Sequence, residues 1–166
     1  MITLREATLQ DLPEMLAIYN EAVLHSTATF DLEAQTLEER AIWFHNHGGK
    51  YPLIVAELDS KVAGYACLSP FRAKPAYAYS TELSIYIDAG FRGCGVGSAL
   101  MTDILNRAAT LGYHTVISGL VGGNEASRRL HEKFGFAYIG AFQEVGLKFG
   151  EWHDVHFYQL FTDKKS

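Results

Sequence analysis

Cysteine is almost absent: Cys67 and Cys94 are the only two in 166 residues. They show no metal-ligand spacing, and so few thiols exclude a disulfide-stapled scaffold; free thiols in a reducing compartment are expected. Proline is also sparse, with four residues. No Pro/Gly/Ser-rich linker divides the chain, so one domain over residues 1–166 is expected. Positive charge is in deficit. Fourteen Lys and Arg against nineteen Asp and Glu leave a formal net charge of −5. That argues against nucleic acid or an anionic membrane surface as the main partner, and leaves room only for a local basic site. Long apolar runs are missing: nothing approaches the roughly 18 residues of a membrane span. The stretch "MITLREATLQDL" carries no apolar signal core, so a cytoplasmic setting is expected. Internal repeats and low-complexity tracts are absent as well.

What is present is ordinary in amount and informative in order. Hydrophobic residues make up 48% and charged residues 20%, which suits a chain able to bury a substantial core. "ITLRE" alternates as a strand. Asp11 then reads as the cap of a helix with Pro13 in its first turn and an apolar stripe of Leu12, Met15, Leu16, Tyr19, Ala22 and Val23. Thr36 and Glu39 form a capping box before a short helix carrying Trp43 and Phe44, which Gly48-Gly49 end. "PLIVAEL" and "KVAGYACLS", joined by Asp59-Ser60, read as a hairpin. After the loop "PFRAKPAYA" comes the strand "YSTELSIYI". Val96, Leu100, Ile104, Ala108 and Leu111 then space out a helix that stops at Gly112. "HTVISGLV" is a buried strand, Asn124 starts the helix "NEASRRLHEKF", and two further strands close the chain. The predicted order is β-α-α-β-β-β-α-β-α-β-β, an α/β fold with a mixed sheet rather than a strict dinucleotide-binding alternation.

At residues 90–97, "GFRGCGVG", four glycines fall in eight positions just where a helix must start. A glycine loop between a strand and a helix presents unpaired N–H groups, and the helix dipole adds roughly half a positive charge there. Such a place suits a phosphate or pyrophosphate. Arg92 adds a cation at the rim. A Walker loop would need a Gly-Lys-Ser/Thr ending, and no lysine follows. The dinucleotide fingerprint also fails, because Gly93-x-Gly95 is followed by Gly97 and then Ser98. On the glycines alone, a tight turn without ligand remains open.

"RGCGVG" fits the pattern Arg/Gln-x-x-Gly-x-Gly/Ala and resembles the pyrophosphate loop of the GCN5-related N-acetyltransferases (the GNAT superfamily). "YNEAVLHSTATF", "TELSIYI", "NEASRRLHEKFGF" and "VGLKFGEWHDVHFYQL" extend the likeness, in order, over nearly the whole chain. Together they resemble the phosphinothricin and methionine-sulfone acetyltransferase branch. The resemblance implies a GNAT fold, acetyl-CoA as co-substrate, no metal, a small amino-acid-like amine as acceptor, and a homodimer whose surface includes the aromatic-rich C-terminal hairpin.

It also implies roles for individual residues. Ile85, Tyr86 and Ile87 would pair through their backbone with the pantetheine, laid like an extra strand into a split in the sheet, and the Tyr86 and Ile87 amides would polarise the thioester carbonyl. Gly93, Cys94, Gly95, Val96, Gly97 and Ser98 would hold the pyrophosphate. Asn124 is both a helix cap and a cofactor contact. Glu82, a charged residue in an otherwise apolar strand, is the candidate base, with burial among Leu83, Ile85 and aromatics raising its pKa. His131 stands where many of these enzymes carry a tyrosine that protonates the departing thiolate. Arg72, Ala73 and Lys74 fall where the branch recognises acid groups of its acceptor, with Glu82, Leu83 and Ser84 completing the acceptor side. One departure is Tyr77-Ala78-Tyr79, where related sequences often carry arginine; Ala78 counts against the usual acidic-drug or sulfone acceptor. Acetylation of another amine, such as a peptide N-terminus or polyamine, and a non-turning-over coenzyme A-binding module are the competing readings.

Overall fold

A computed structural model describes residues 1–163. The first strand, β1 (Thr3–Glu6), leads through a 3-10 turn into α1 (Leu12–His25). Pro13 fits the first turn of α1 because its missing N–H would have no partner there anyway. Asp11 precedes this helix but does not cap it through its side chain. Its carboxylate accepts two bonds from Arg5, at 2.7 and 2.8 Å, and one from the Thr8 amide at 2.7 Å. The buried stripe of α1 is Leu12, Met15, Ile18, Tyr19 and Val23; Leu16 and Ala22 lie at its half-buried margin. Each such side chain contributes about 1.5–3 kcal/mol by burial. α2 (Leu37–His45) starts on the expected box: Thr36 Oγ1 accepts from the Glu39 amide and Glu39 Oε1 from the Thr36 amide. It ends at Asn46, ahead of the Gly48-Gly49 turn.

β2 (Leu53–Leu58) and β3 (Lys61–Pro70) form the hairpin, with Asp59 and Ser60 both left-handed at φ 54° and 61°. Paired positive φ values match the twist of a two-residue hairpin. β4 (Ser80–Ile87), α3 (Val96–Thr110), β5 (Thr115–Val121), α4 (Glu125–Lys133), β6 (Ala137–Lys148) and β7 (Glu151–Phe161) complete the chain. The element order matches the expected one, with short 3-10 turns added. Among the described residues the seven strands make one sheet in the order β1-β2-β3-β4-β5-β7-β6. All neighbours are antiparallel except β4 and β5.

Alternation along the strands divides the core in two. On one face, α1 and α2 cover Val55, Tyr65, Cys67 and Tyr86. On the other, α3 covers Ile54, Ala66, Leu68 and Leu83, with Leu130 of α4 packed alongside. The stretch between α1 and α2 reaches across to the β6–β7 hairpin. There the missing side chain of Gly146 leaves room for the Phe30 ring, and buried Lys148 donates to the Thr29 carbonyl at 2.8 Å. Among the described residues no helix is long and apolar enough to cross a membrane.

Candidate active site

The parallel pairing of β4 with β5 covers three positions only: Ser80 with Thr115, Thr81 with Val116, and Glu82 with Ile117. Beyond Glu82, β4 keeps β3 on one side while β5 keeps β7, and the sheet splays between them. The Asp88 amide donates to Ala63 of β3 at 2.8 Å. Main-chain direction alternates along a strand, so the Tyr86 amide also points to β3; that of Leu83 faces β5 at the end of the pairing, and those of Ile85 and Ile87 point into the opening. This corrects the expectation for Tyr86, whose amide is turned away; Ile85 and Ile87 keep theirs toward the gap. The Tyr86 ring packs on Tyr19 and Tyr65.

The glycine segment lies where β4 leads into α3. Gly93 and Gly95 have φ of 77° and 84°, and Gly95 occupies the N-cap of α3. Left-handed backbone explains glycine at both. Gly97 is glycine for a different reason. A Cβ there would meet Ile87 Cδ1 at 3.1 Å and Leu130 Cδ2 at 3.2 Å, so its bareness serves helix packing rather than ligand approach. Among the described residues no side chain caps α3, and its first turn holds no acidic residue. The Val96, Gly97 and Ser98 amides therefore have no intrahelical partner. The Val96 side chain itself is core, 1% exposed, so only its backbone can meet a ligand. Cys94 is an exposed free thiol. Lys133 Nζ donates to Ser98 Oγ at 2.9 Å, bringing from α4 a cation that the sequence reading missed. Thirty-five positions separate the two residues, and no local pattern links them. Asn124 caps α4, its side chain accepting from the Ser127 amide at 3.3 Å, which leaves its Nδ2 for any outward contact.

Glu82 lies at the last paired position before the splay, and its side chain shares the α1/α2 face with Ser84 and Tyr86. Leu83 and Ile85 alternate to the opposite face, where they belong to the α3 core. The expectation that they surround the carboxyl is therefore wrong, and Leu83 offers the acceptor side only main chain. Burial still lifts the Glu82 pKa above the ordinary carboxylate value, and the charge of Arg72 partly opposes it. Arg72 stacks over the Phe71 ring at 4.2 Å and donates to the Phe71 carbonyl. Ala73 and Lys74 are exposed in the same loop. A cavity of about 360 Å³ opens here between this loop and strands β5, β6 and β7, with Arg72, Ile117 and Phe157 in its lining and Lys74 outside it.

His131 is 3% exposed, behind β5 on the α4 side. Its Nδ1 lies 2.7 Å from the Ser127 carbonyl and its Nε2 2.9 Å from Ser118 Oγ. A carbonyl only accepts, so Nδ1 carries the proton and Nε2 of the neutral ring accepts from Ser118. Burial holds the pKa below the ordinary imidazole value. So held, the ring has no proton to give from Nε2, and direct protonation of a thiolate does not follow from this geometry. His131 meets the opening only through Ser118, whose Oγ is 3.5 Å from the Leu83 carbonyl oxygen.

The profile of the acetyltransferase (GNAT) family matches residues 12–136. Phosphinothricin N-acetyltransferase of Streptomyces coelicolor is 41% identical over 162 residues, covering 95% of both chains. The L-methionine sulfoximine/L-methionine sulfone acetyltransferase of Pseudomonas aeruginosa is 36% identical, covering 97% of this chain and 95% of its own. Among solved structures, a phosphinothricin acetyltransferase from Sinorhizobium meliloti in complex with acetyl-CoA superposes with a TM-score of 0.93. It is 36% identical, over 96% of this chain and 88% of that one. With a splayed parallel strand pair, an uncapped glycine-rich helix start beside it and full-length relatives of this kind, the chain belongs to the GNAT acetyltransferase family.

Proposed function

We propose that the chain, acting as a single domain, transfers acetyl from acetyl-CoA to the amine of a small amino-acid-like acceptor. What supports this reading most is the position of Glu82 at the mouth of the β4–β5 splay, on the strand whose far end leads into the uncapped amides of α3. The residues suit acetyl-CoA: left-handed Gly93 and Gly95 shape a cradle, Val96 to Ser98 offer amides, and Lys133 and Arg92 bring positive charge. When bound, acetyl-CoA supplies an acetyl group on a thioester.

An amine acceptor is largely protonated near neutral pH and must lose a proton before attack. Glu82 takes that proton, directly or through one water; burial makes its carboxylate more basic than usual. The carbon–nitrogen bond forms as the carbon–sulfur bond breaks, and the Ile87 amide, turned into the opening, donates to the oxygen that gains charge. The nitrogen gives up its second proton to solvent, leaving a neutral amide, while the sulfur leaves with the electron pair and takes a proton from solvent. Ser118 and His131 fix the β5 side of the opening.

Glu82→Gln keeps shape while removing basicity. Turnover should fall by roughly 10²–10⁴, the acidic limb of the pH–rate profile should change, and acetyl-CoA affinity should stay normal. Full turnover with an unchanged acidic limb would make Glu82 structural, and no thiol release with any amine would leave a coenzyme-binding module. A homodimer through the hairpin belongs to the same reading. β6 is an edge strand, and Val145, Leu147, Phe149 and Trp152 near its turn are each more than half exposed, an apolar patch that suits a partner surface. Sedimentation of the purified chain decides it. Two free thiols, one exposed, suit a reducing cytoplasmic setting.

A further inference from the structure

The cavity beside Glu82 has a marked chemical asymmetry. Phe71, Ile117, Phe142 and Phe157 give it apolar walls; among the described residues Gln159 is its one amide and Arg72 its one charged side chain. The Gln159 amide nitrogen is already engaged, donating to Thr115 Oγ1 at 3.0 Å. Ile117 is the register partner of Glu82, so the cavity begins one strand spacing, about 4.8 Å, from the candidate base. Arg72 is close enough to Glu82 for its charge to act on the carboxyl.

An α-amino acid carries an amine, a carboxylate and a side chain on one carbon. Three features of this chain diverge from one point in the same way: a base, a cation and an apolar hollow. From this match we propose that the acceptor is an L-amino acid with a large uncharged apolar side chain, such as phenylalanine, leucine or methionine. Its amine faces Glu82, its carboxylate meets Arg72, and its side chain fills the cavity. The proposal rests on the acetyltransfer reading above and narrows it. A second anionic group at the end of the side chain, as in phosphinothricin or glutamate, would enter a hollow whose one cation among the described residues is already used. An unpaired charge there loses its hydration without compensation. The volume of about 360 Å³ falls within the range of small-molecule sites and exceeds what alanine or serine would fill.

The test measures thiol release from acetyl-CoA by the intact enzyme with a panel of acceptors. Phenylalanine, leucine and methionine should exceed glutamate and phosphinothricin in kcat/KM by at least roughly tenfold, the scale on which apolar pockets discriminate. Phenylalaninamide should lose roughly tenfold against phenylalanine, and Arg72→Gln should erase that difference. Ala141→Phe, at an exposed position on the cavity wall, should raise KM for phenylalanine about tenfold while KM for acetyl-CoA holds. Faster turnover of phosphinothricin or glutamate, or equal rates across all side chains, would overturn the proposal and leave N-acetyltransfer standing. Thiol release with no amine at all would sink the underlying reading instead. An Ala141→Phe enzyme altered in sedimentation but not in acceptor KM would assign the cavity to a second copy of the chain, and also overturn the proposal.

Discussion

Replacing Gly95 with alanine isolates one physical quantity. Gly95 has φ of 84°, and the nearest heavy atom to an added Cβ is Ile2 Cδ1 at 3.9 Å, so a methyl group meets no clash. The cost is conformational alone, roughly 1–2 kcal/mol for an L-residue in left-handed backbone. In a chain of this length each kcal/mol moves Tm by roughly 2–4 °C, so a loss of roughly 2–8 °C is expected. Relaxing the strain swings the start of α3 and misdirects the Val96, Gly97 and Ser98 amides. Restoring them on binding costs about the same energy, which corresponds to a rise of roughly tenfold in KM for acetyl-CoA. KM for the acceptor should hold. Gly95→Asn should recover much of both losses, because asparagine tolerates this backbone. Calorimetry and steady-state kinetics on the three proteins measure everything required. Equal rises in both KM values, or an asparagine variant no better than alanine, would refute the reasoning.

Lys133→Ala should raise KM for acetyl-CoA a few-fold, more at low salt than at high, with kcat kept; an effect independent of salt would make the Ser98 contact merely structural. Asp11→Asn should destabilise the fold by about 1.5–3 kcal/mol at neutral pH, the scale of hydrogen bonds to a charged group. Arg5, first among the causes, holds the Asp11 pKa below its ordinary value. This contribution is therefore complete above the unfolded value near 3.9 and is lost as pH falls through the lower folded value; the variant should show a flatter acid limb in urea denaturation. His131 is likewise held below its ordinary value by burial. Its contribution is present above about pH 6.5 and declines as pH falls toward the folded value, because the unfolded chain takes up a proton first. His131→Asn should reduce the loss of stability between pH 7.5 and 5.5 without abolishing it, since His47 is depressed in the same direction. An unchanged slope would show that His131 titrates normally.

Local chemistry was legible where it acts over a few residues. Thr36 and Glu39 announce a helix start because both partners of the capping box lie within one turn. Asp59-Ser60 marks a reversal because two apolar strand-forming runs flank it directly. The glycine segment was legible as an anion seat, but its glycines could not be told apart. Gly95 answers to its own φ, whereas Gly97 answers to Ile87 and to Leu130, more than thirty positions away. Asp11 misled for the same reason: a good capping residue was taken by Arg5, a more strongly binding partner across the turn. The faces of β4 were within reach, since alternation alone separates Glu82 from Leu83. The splay, the cavity wall and the Lys133 contact depend on register between segments distant in sequence, and no single stretch encodes them.

The short β4–β5 pairing has a thermodynamic consequence. Nearly every main-chain polar group away from bulk water finds a partner in a folded protein, yet Ile85 and Ile87, beyond the last paired position, project theirs into the splay. In the free protein water must satisfy them; a ligand lying along β4 would take its place and complete the ladder as a missing strand would. Stability then becomes partly conditional on ligand, rising with the logarithm of ligand concentration once that exceeds the dissociation constant. Amide exchange at these positions would slow on binding without any change of fold. The central strand thus doubles as a gauge, reading out how much of the protein is loaded.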